Sequence, residues 1–382
     1  MTTNNEHNAP FVGRKVMYIL ETGNRIEENV RQQMRAIRIL GARLTACCLS
    51  GYECDIKPDK EYDHLIKLGL SQKQLSGNRF RAVLALRSIL KTDDNDTLIC
   101  NQYKAVTTAI LATAFTLGPK PKIVALLRGY NALSSKSRRR TYRLFSRRLS
   151  GIIALTAAQK QHFLSLAPFL QPEKIHVVPN HLDYDTLRAN MLPREQARYK
   201  LGLPQNALVI GCITRFDSLK RIEDLIGAMP KVLAREPRGH LSLIGKGRTW
   251  ESNIKQIREL GLTEHVTLHG YQPNASRLLK AFDIFAFPSE ADNFARVLLE
   301  AMAAEVPIVA VDAGGTPEVV ASNVHLVPPR SSHELASALL KVAVLNPQQR
   351  LELGRNAYYY AKTTHTALRI RNALQQALDF KQ

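Results

Sequence analysis

Acidic residues, cysteines and long apolar runs are all scarce in this chain, and each scarcity excludes something. Five cysteines among 382 residues (Cys47, Cys48, Cys54, Cys100, Cys212) follow neither a paired framework nor a metal-ligand spacing. That excludes a disulfide scaffold and a cysteine-built metal centre, and it suits reduced, mostly buried thiols of a cytoplasmic protein. The longest weakly polar run, 105–118, is about 14 residues, short of the roughly 20 that span a bilayer. The opening MTTNNEHNAPFVGRK has no basic stretch followed by an apolar one, so no signal peptide is expected. No tract is of low complexity. With 45% hydrophobic and 23% charged residues the chain is globular, and its length suits two domains of about 150–200 residues.

The deficit of acid is the unusual feature. Lys and Arg total 53 against 33 Asp and Glu, a formal net charge of +20. Residues 1–180 hold 28 basic and 13 acidic side chains, net +15, and the remainder carries only +5. A polyanionic partner met mainly by the first half follows from this: nucleic acid, or an anionic membrane face.

Short apolar and β-branched runs alternate with helical patterns, twice over. The first half predicts strands at 15–20, 43–50, 97–102, 122–129, 151–156 and 174–180. The second half predicts them at 208–215, 240–245, 266–271, 284–289, 307–315 and 324–329. Helical stretches between them include 27–40, 103–116, 222–234, 250–260, 275–282 and 293–304. Continuous apolar strands separated by helices imply parallel strands buried on both faces, hence two doubly wound α/β domains. The polar stretch HLDYDTLRANMLPREQARYK marks the boundary. The expected division is 1–185, 186–360 and a C-terminal helix, 361–382, packing back towards the first domain.

Ligands of open parallel sheets sit at the carboxyl ends of the strands. There the second half concentrates its polar and glycine residues: Arg215, then Gly245-Lys246-Gly247, Gly270-Tyr271, Ser289 to Asn293, and Gly314-Gly315-Thr316. Arg215 and Lys220, five apart around a strand-to-helix turn, suit a diphosphate bracketed by two cations; a merely basic loop fits equally well. Gly245 and Gly247 alone signal only a tight turn. In SEADNFARVLLEAMA a helix beginning near Asn293 would aim the N–H groups of Asn293, Phe294 and Ala295 at an anion. Eight helical residues rise about 12 Å, the span from a ribose to a sugar beyond the diphosphate. On that geometry Glu300 holds the ribose and Asp292 reaches the sugar. The alternatives are an N-cap for Asp292 and a half-exposed helix position for Glu300.

Taken together these motifs resemble the retaining glycosyltransferases of the GT-B fold, specifically glycosyltransferase family 4. The resemblance rests on TRFDSLKRIEDLI (214–226), LIGKG (243–247), VTLHGY (266–271), FAFPSEADNFARVLLEAMA (285–303), PIVAVDAGGTPEVV (307–320) and HLVPP (325–329), with VVPNHLDYDTL (177–187) as linker. It is strong over 175–330 and architectural before that. It implies two Rossmann-like domains facing each other across a cleft, an acceptor domain followed by a donor domain. By resemblance, Arg215 and Lys220 bind the donor diphosphate and stabilise its developing charge, Asp292 and the backbone of Asn293, Phe294 and Ala295 contact the sugar, and Glu300 holds the ribose. Gly245, Gly247, Gly270 and Tyr271 line the donor side. Three departures stand out: Asp292 replaces the first glutamate of the family's Glu-x7-Glu pair, Asn293-Phe294-Ala295 replaces Gly-Phe-Gly, and Arg128 stands where many members place a histidine. The acceptor loop is reduced to Glu21-Thr22-Gly23-Asn24, so the acceptor-side residues are Gly23, Asn24 and Arg128. No cofactor or metal is expected beyond the nucleotide-sugar co-substrate, preferably a UDP-sugar.

SSKSRRRTYRLFSRRLSG (134–151) places Lys136, Arg139, Arg140, Arg143, Arg147 and Arg148 along a helix, with Tyr142, Leu144, Phe145 and Leu149 as an apolar complement. This reads as an interfacial basic helix on anionic lipid, or as a solvated helix with an inward apolar face. The first reading makes the acceptor a lipopolysaccharide core or lipid-linked glycan at the inner face of the cytoplasmic membrane, with the enzyme peripheral. A soluble acceptor or sugar-nucleotide epimerisation is the alternative. A nucleic-acid-binding protein ranks lower, since aromatic-basic interleaving and recognised motifs are lacking; no specific nucleic-acid partner is expected.

Overall fold

A computed structural model of the chain describes residues 9–22, 26–51, 61–71, 73–75, 79–114, 119–320, 322 and 324–379. It divides into two compact units, Met1–Asn180 with Ala367–Gln382, and His181–Thr366.

The first unit is built on β1 (Lys15–Thr22), β2 (Arg43–Ser50), β3 (His64–Leu70), β4 (Thr97–Asn101), β5 (Lys122–Leu126), β6 (Leu149–Ala154) and β7 (Ile175–Val177). These pair as one parallel sheet in the order β3-β2-β1-β4-β5-β6-β7. Successive side chains of a strand point to opposite faces. Met17 and Ile19 therefore join a core under the helices Phe80–Thr92, Gln102–Ala114 and Ala157–Leu166, while Val16, Tyr18 and Leu20 join another under Glu28–Ile39. That second core is completed by Ile370 and Leu374 of the C-terminal helix Ala367–Leu378. Two buried faces explain why these strands read as unbroken apolar runs.

The second unit contains β8 (Leu208–Ile213), β9 (Gly239–Ile244), β10 (Val266–Leu268), β11 (Ile284–Phe287), β12 (Ile308–Val311) and β13 (His325–Val327), again parallel, in the order β10-β9-β8-β11-β12-β13. Helices Ile222–Leu233 and Ser332–Ala343 cover one face, sharing its core through Leu225, Ile226, Met229, Leu335 and Leu339. The strand order reverses at β1/β4 in the first sheet and at β8/β11 in the second.

All twelve expected strands are present, most ending earlier than the apolar pattern, because their last residues leave the ladder to form loops. Several elements went unforeseen, among them β3, an edge strand of half-buried side chains interrupted by Lys67 and Gly69, and the helices Phe80–Thr92, Ala157–Leu166 and Ser332–Ala343. Pairing on one side only removes the continuous apolar signal. The stretch 275–282 is a 3₁₀ helix, Ala275–Ala281, rather than an α-helix. Cys47, Cys48, Cys100 and Cys212 are buried free thiols, and burial pushes Cys47 and Cys212 up to about 12; Cys54 lies outside the described residues.

The second sheet is tied at the amino ends of β8 and β11 by a charge without solvent contact. Arg198, fully buried, donates from Nε to the Ala281 carbonyl (2.9 Å), from one terminal nitrogen to the carbonyls of Pro204, Gln205 and Ala207, and from the other to Asp283 Oδ2 at 2.6 Å. The same Asp283 oxygen accepts from the Val209 amide at 2.8 Å, tying β8 to the start of β11. Arg198→Met should lower the unfolding free energy by about 3–5 kcal/mol, the cost of leaving a buried charge unpaired. Urea denaturation measures it; a loss under about 1 kcal/mol would assign this network no structural weight.

Candidate donor site at the strand ends of the second unit

The loops that leave β8 and β9 run on side by side. The Thr214 amide donates to the Ile244 carbonyl (3.0 Å), the Phe216 amide to Lys246 (3.3 Å), and Phe216 bridges Gly247. Glycine is obligatory there. A Cβ on Gly245, at φ +141°, would fall 1.7 Å from the Thr214 carbonyl oxygen, and one on Gly247 would fall 2.2 Å from that of Phe216. The Gly245 amide then donates to the Gly270 carbonyl at 2.8 Å, which brings in the end of β10 with exposed Tyr271 beyond it. The glycine pair thus serves the packing of one loop on another.

Lys220 closes the 3₁₀ turn after β8, and Asp292 lies in the loop after β11, so the two face each other across the β8/β11 reversal. Lys220 Nζ donates to Asp292 Oδ2 at 2.5 Å, and Ser289 Oγ donates to the same oxygen at 2.7 Å. Backbone contacts hold the frame: the Glu290 amide donates to the Leu219 carbonyl (3.1 Å), and the Gly315 amide to the Asp292 carbonyl (2.7 Å). Gly314, at φ +58°, approaches so closely that a Cβ would meet the Asp292 carbonyl oxygen at 2.4 Å. Glu290 is gripped by Arg330, whose guanidinium lies 2.7 Å away and holds that carboxyl below its usual range. Arg215 differs from Lys220: its side chain is 80% exposed, with Asp217 at 3.8 Å.

The helix after Asp292 begins at Arg296, capped by Ala295, and runs to Ala303. It does not begin near Asn293, which corrects the eight-residue helical span drawn between Asp292 and Glu300. The reason is packing: Asn293, Phe294 and Ala295 are buried, and the Phe294 ring turns edge-on to His365, centroids 5.4 Å apart at 90°. Glu300 has a side chain only 15% exposed, and its partner is Arg296, one turn earlier, with Nε 3.0 Å from Oε1. Burial raises the Glu300 pKa and Arg296 pulls it back. The four-residue spacing of Arg296 and Glu300 was the signal for that pair.

In the first unit, Arg128 follows β5 and ion-pairs with Glu27 at the start of the helix Glu28–Ile39; Gly23 and Asn24 lie outside the described residues. Lys104 and Glu21 meet at 2.7 Å across the β1/β4 reversal. The basic segment forms the helix Lys136–Phe145 and a 3₁₀ turn, Ser146–Arg148. Its apolar complement turns inward, since Tyr142 and Leu149 are buried in the first core and Phe145 packs against it. Leu144 alone among them is exposed, at 76%. Arg139 caps the Leu133 carbonyl at 2.9 Å, and Arg148 reaches Thr113 at 3.4 Å. Lys136, Arg140, Arg143 and Arg147 remain on the outer surface.

Two all-parallel Rossmann-like sheets, the second carrying a Lys-Asp pair at its topological switch, match the GT-B glycosyltransferase architecture. Family comparison assigns each domain. Residues 27–186 match Glycosyltransferase Family 4, and residues 193–360 match Glycosyl transferases group 1. Each half of the chain thus matches one glycosyltransferase domain description. D-inositol 3-phosphate glycosyltransferase of Segniliparus rotundus is 31% identical over 202 residues, 50% of this chain and 43% of that relative. The GDP-mannose-dependent monoacylated alpha-(1-6)-phosphatidylinositol monomannoside mannosyltransferase of Corynebacterium glutamicum is 33% identical over 171 residues, 42% of this chain and 44% of that relative. The aligned stretches thus span less than half the length of these curated relatives. The solved structure of HepE from Anabaena, in complex with UDP and glucose, shares the fold with a TM-score of 0.78 at 21% identity, over 96% of this chain and 100% of that one.

Gly247→Ala should force the two loops apart and cost about 1–3 kcal/mol, as overpacking does. Thermal denaturation checks it, with Gly261→Ala as control: that glycine has open space around its Cβ position and tests backbone strain alone.

Proposed function

We propose that the protein is a retaining glycosyltransferase that moves a sugar from a nucleotide-sugar, a UDP-sugar in the first instance, to a glycan acceptor carried at an anionic membrane surface. The observation that carries the reading is the Lys220–Asp292–Ser289 cluster at the β8/β11 switch, with Arg215 in the loop after β8 and Glu300 in the helix beyond. A cation already paired with a carboxylate is held in place before the donor arrives. An incoming diphosphate shares the Lys220 ammonium with Asp292, while exposed Arg215 closes on it from the solvent side. As the bond from the anomeric carbon to the leaving phosphate oxygen breaks, negative charge grows on the diphosphate, and these two cations stabilise it. The acceptor hydroxyl forms the new bond from the same face and gives its proton to the departing phosphate. Asp292 orients the sugar. Glu300 exchanges Arg296 for the ribose hydroxyls; its raised pKa reflects how poorly burial alone supports its charge. Two side-chain cations do the neutralising in this reading, and no metal or cofactor is invoked.

Two kinds of observation support the membrane side. Lys136, Arg140, Arg143 and Arg147 project from one exposed surface with Leu144 between them, in the half of the chain that carries most of the net charge. The related mannosyltransferase acts on a phosphatidylinositol-linked acceptor, as its name states. The acceptor class is accordingly a lipopolysaccharide core or lipid-linked polysaccharide intermediate, and the enzyme is peripheral on the inner face of the membrane. No helix of the described residues is long and apolar enough to cross a membrane.

A thermal-shift panel of UDP-, GDP- and ADP-sugars tests the donor reading. One nucleotide series should stabilise the wild type and not Glu300→Ala, and Lys220→Ala should lower turnover about 10²–10³-fold with the fold intact. No shift from any series would remove the donor site. For the acceptor side, flotation with anionic vesicles should exceed that with neutral ones. Replacing Arg140, Arg143 and Arg147 by Gln should abolish the difference, each being worth about 1 kcal/mol near such a surface. Equal flotation would favour a soluble acceptor.

A further inference from the structure

His365 is buried to 2% exposure in the last turn before Ala367, where the chain passes from the second unit into the first. Its Nε2 lies 2.8 Å from the Val319 carbonyl oxygen. A carbonyl only accepts, so Nε2 carries the proton. Its ring takes Phe294 edge-on at 5.4 Å and 90°, and Tyr360 at 5.7 Å and 83°. Two of these three contacts, Val319 and Phe294, lead to the same place. Phe294 is two residues beyond Asp292. Val319 belongs to the short helix Thr316–Val320, whose Val319 amide donates to the Gly315 carbonyl (3.2 Å), and the Gly315 amide in turn donates to the Asp292 carbonyl (2.7 Å). The loop after Asp292 and the turn that clasps Asp292 from the other side thus lean on one imidazole.

We infer that His365 is a positioning residue for Asp292: its hydrogen bond to Val319 and its ring contact with Phe294 together hold the Asp292 loop closed on the Gly314-Gly315 turn. The inference rests on the donor reading above for its catalytic consequence, and on packing alone for its mechanical one. Phe294 is flanked by Asn293 and Ala295, both buried and both carrying a side chain where glycine would leave the backbone freer. A ring wedged behind Phe294 fixes a loop whose own residues leave less backbone freedom to adjust. Loss of the wedge should displace the Asp292 carboxylate from Lys220 while leaving Arg215 and the nucleotide side untouched.

The test uses the full chain with His365→Ala, which removes both contacts, and His365→Gln, which keeps a donor for Val319 in a side chain of similar reach. Amide hydrogen exchange without ligand reads the brace directly: peptides covering 289–298 and 313–320 should exchange about tenfold faster in His365→Ala, with protection largely restored in His365→Gln. Unchanged exchange would overturn the inference whatever the enzyme does. With the nucleotide-sugar that stabilises the wild type, kcat should fall about 10²-fold in His365→Ala, the size expected of an ångström-scale misplacement, while binding of the free nucleoside diphosphate changes less than about twofold. Equal losses in nucleotide binding and turnover would make His365 merely structural. A wild type that binds no nucleotide-sugar would bring down the donor reading, and the exchange result would still decide the brace.

Discussion

Two ion pairs hold the opposite ends of β8 and β11, and the chemistry proposed for the second unit depends on both. At the amino end, Asp283 joins Arg198 and the Val209 amide. At the carboxyl end, Asp292 joins Lys220 and Ser289. The pairs differ in the way that separates scaffold from site. Arg198 has no solvent contact and spends its guanidinium on four carbonyls and one carboxylate, so it can release nothing without unfolding. Lys220 and Asp292 retain partial exposure, and an anion arriving from solvent can compete for the ammonium. A charge held ready in this way needs little rearrangement when negative charge develops beside it.

Placement of that pair follows from the sheet. Strands buried on both faces carry few polar groups along their length, so charged side chains gather where the strands end, and the reversal of strand order at β8/β11 opens a gap there for a ligand. The first unit repeats the arrangement with Glu21 and Lys104 across β1/β4. Glycines do the rest of the local work. Gly245, Gly247 and Gly314 each remove a side chain from a point where two backbones meet, which draws the strand-end loops of the second unit into one contiguous layer.

Charge on the first unit has a different logic. Its basic helix keeps an inward apolar face like any surface helix, with Tyr142 and Leu149 in the core, so amphipathicity there is explained by packing. What packing leaves over is the outward row of cations around Leu144. An excess of like charge on one surface is destabilising by self-repulsion unless an anionic partner offsets it, and that excess is the physical basis of the proposal of a membrane-bound acceptor.

Strand positions, the doubly wound class and the concentration of polar residues at strand ends were legible from periodicity alone, because parallel strands buried on both faces have an unmistakable apolar signature. Edge strand β3 escaped because pairing on one side leaves it half-buried. Lys220 and Asp292 were recognisable as residues of interest, but their meeting was not: 72 positions separate them, and only the parallel order of β8 and β11 brings them together. The start of the helix after Asp292 was misplaced because local pattern carries no information about the burial of Asn293, Phe294 and Ala295 against distant residues such as His365. The sequence by itself determined which residues are apolar at which period, and therefore the sheets and where their polar ends fall. Tertiary structure decided which charge finds a distant partner, Asp292 with Lys220 and Asp283 with Arg198, since pairing in a low-dielectric interior depends on distances that chain order does not contain.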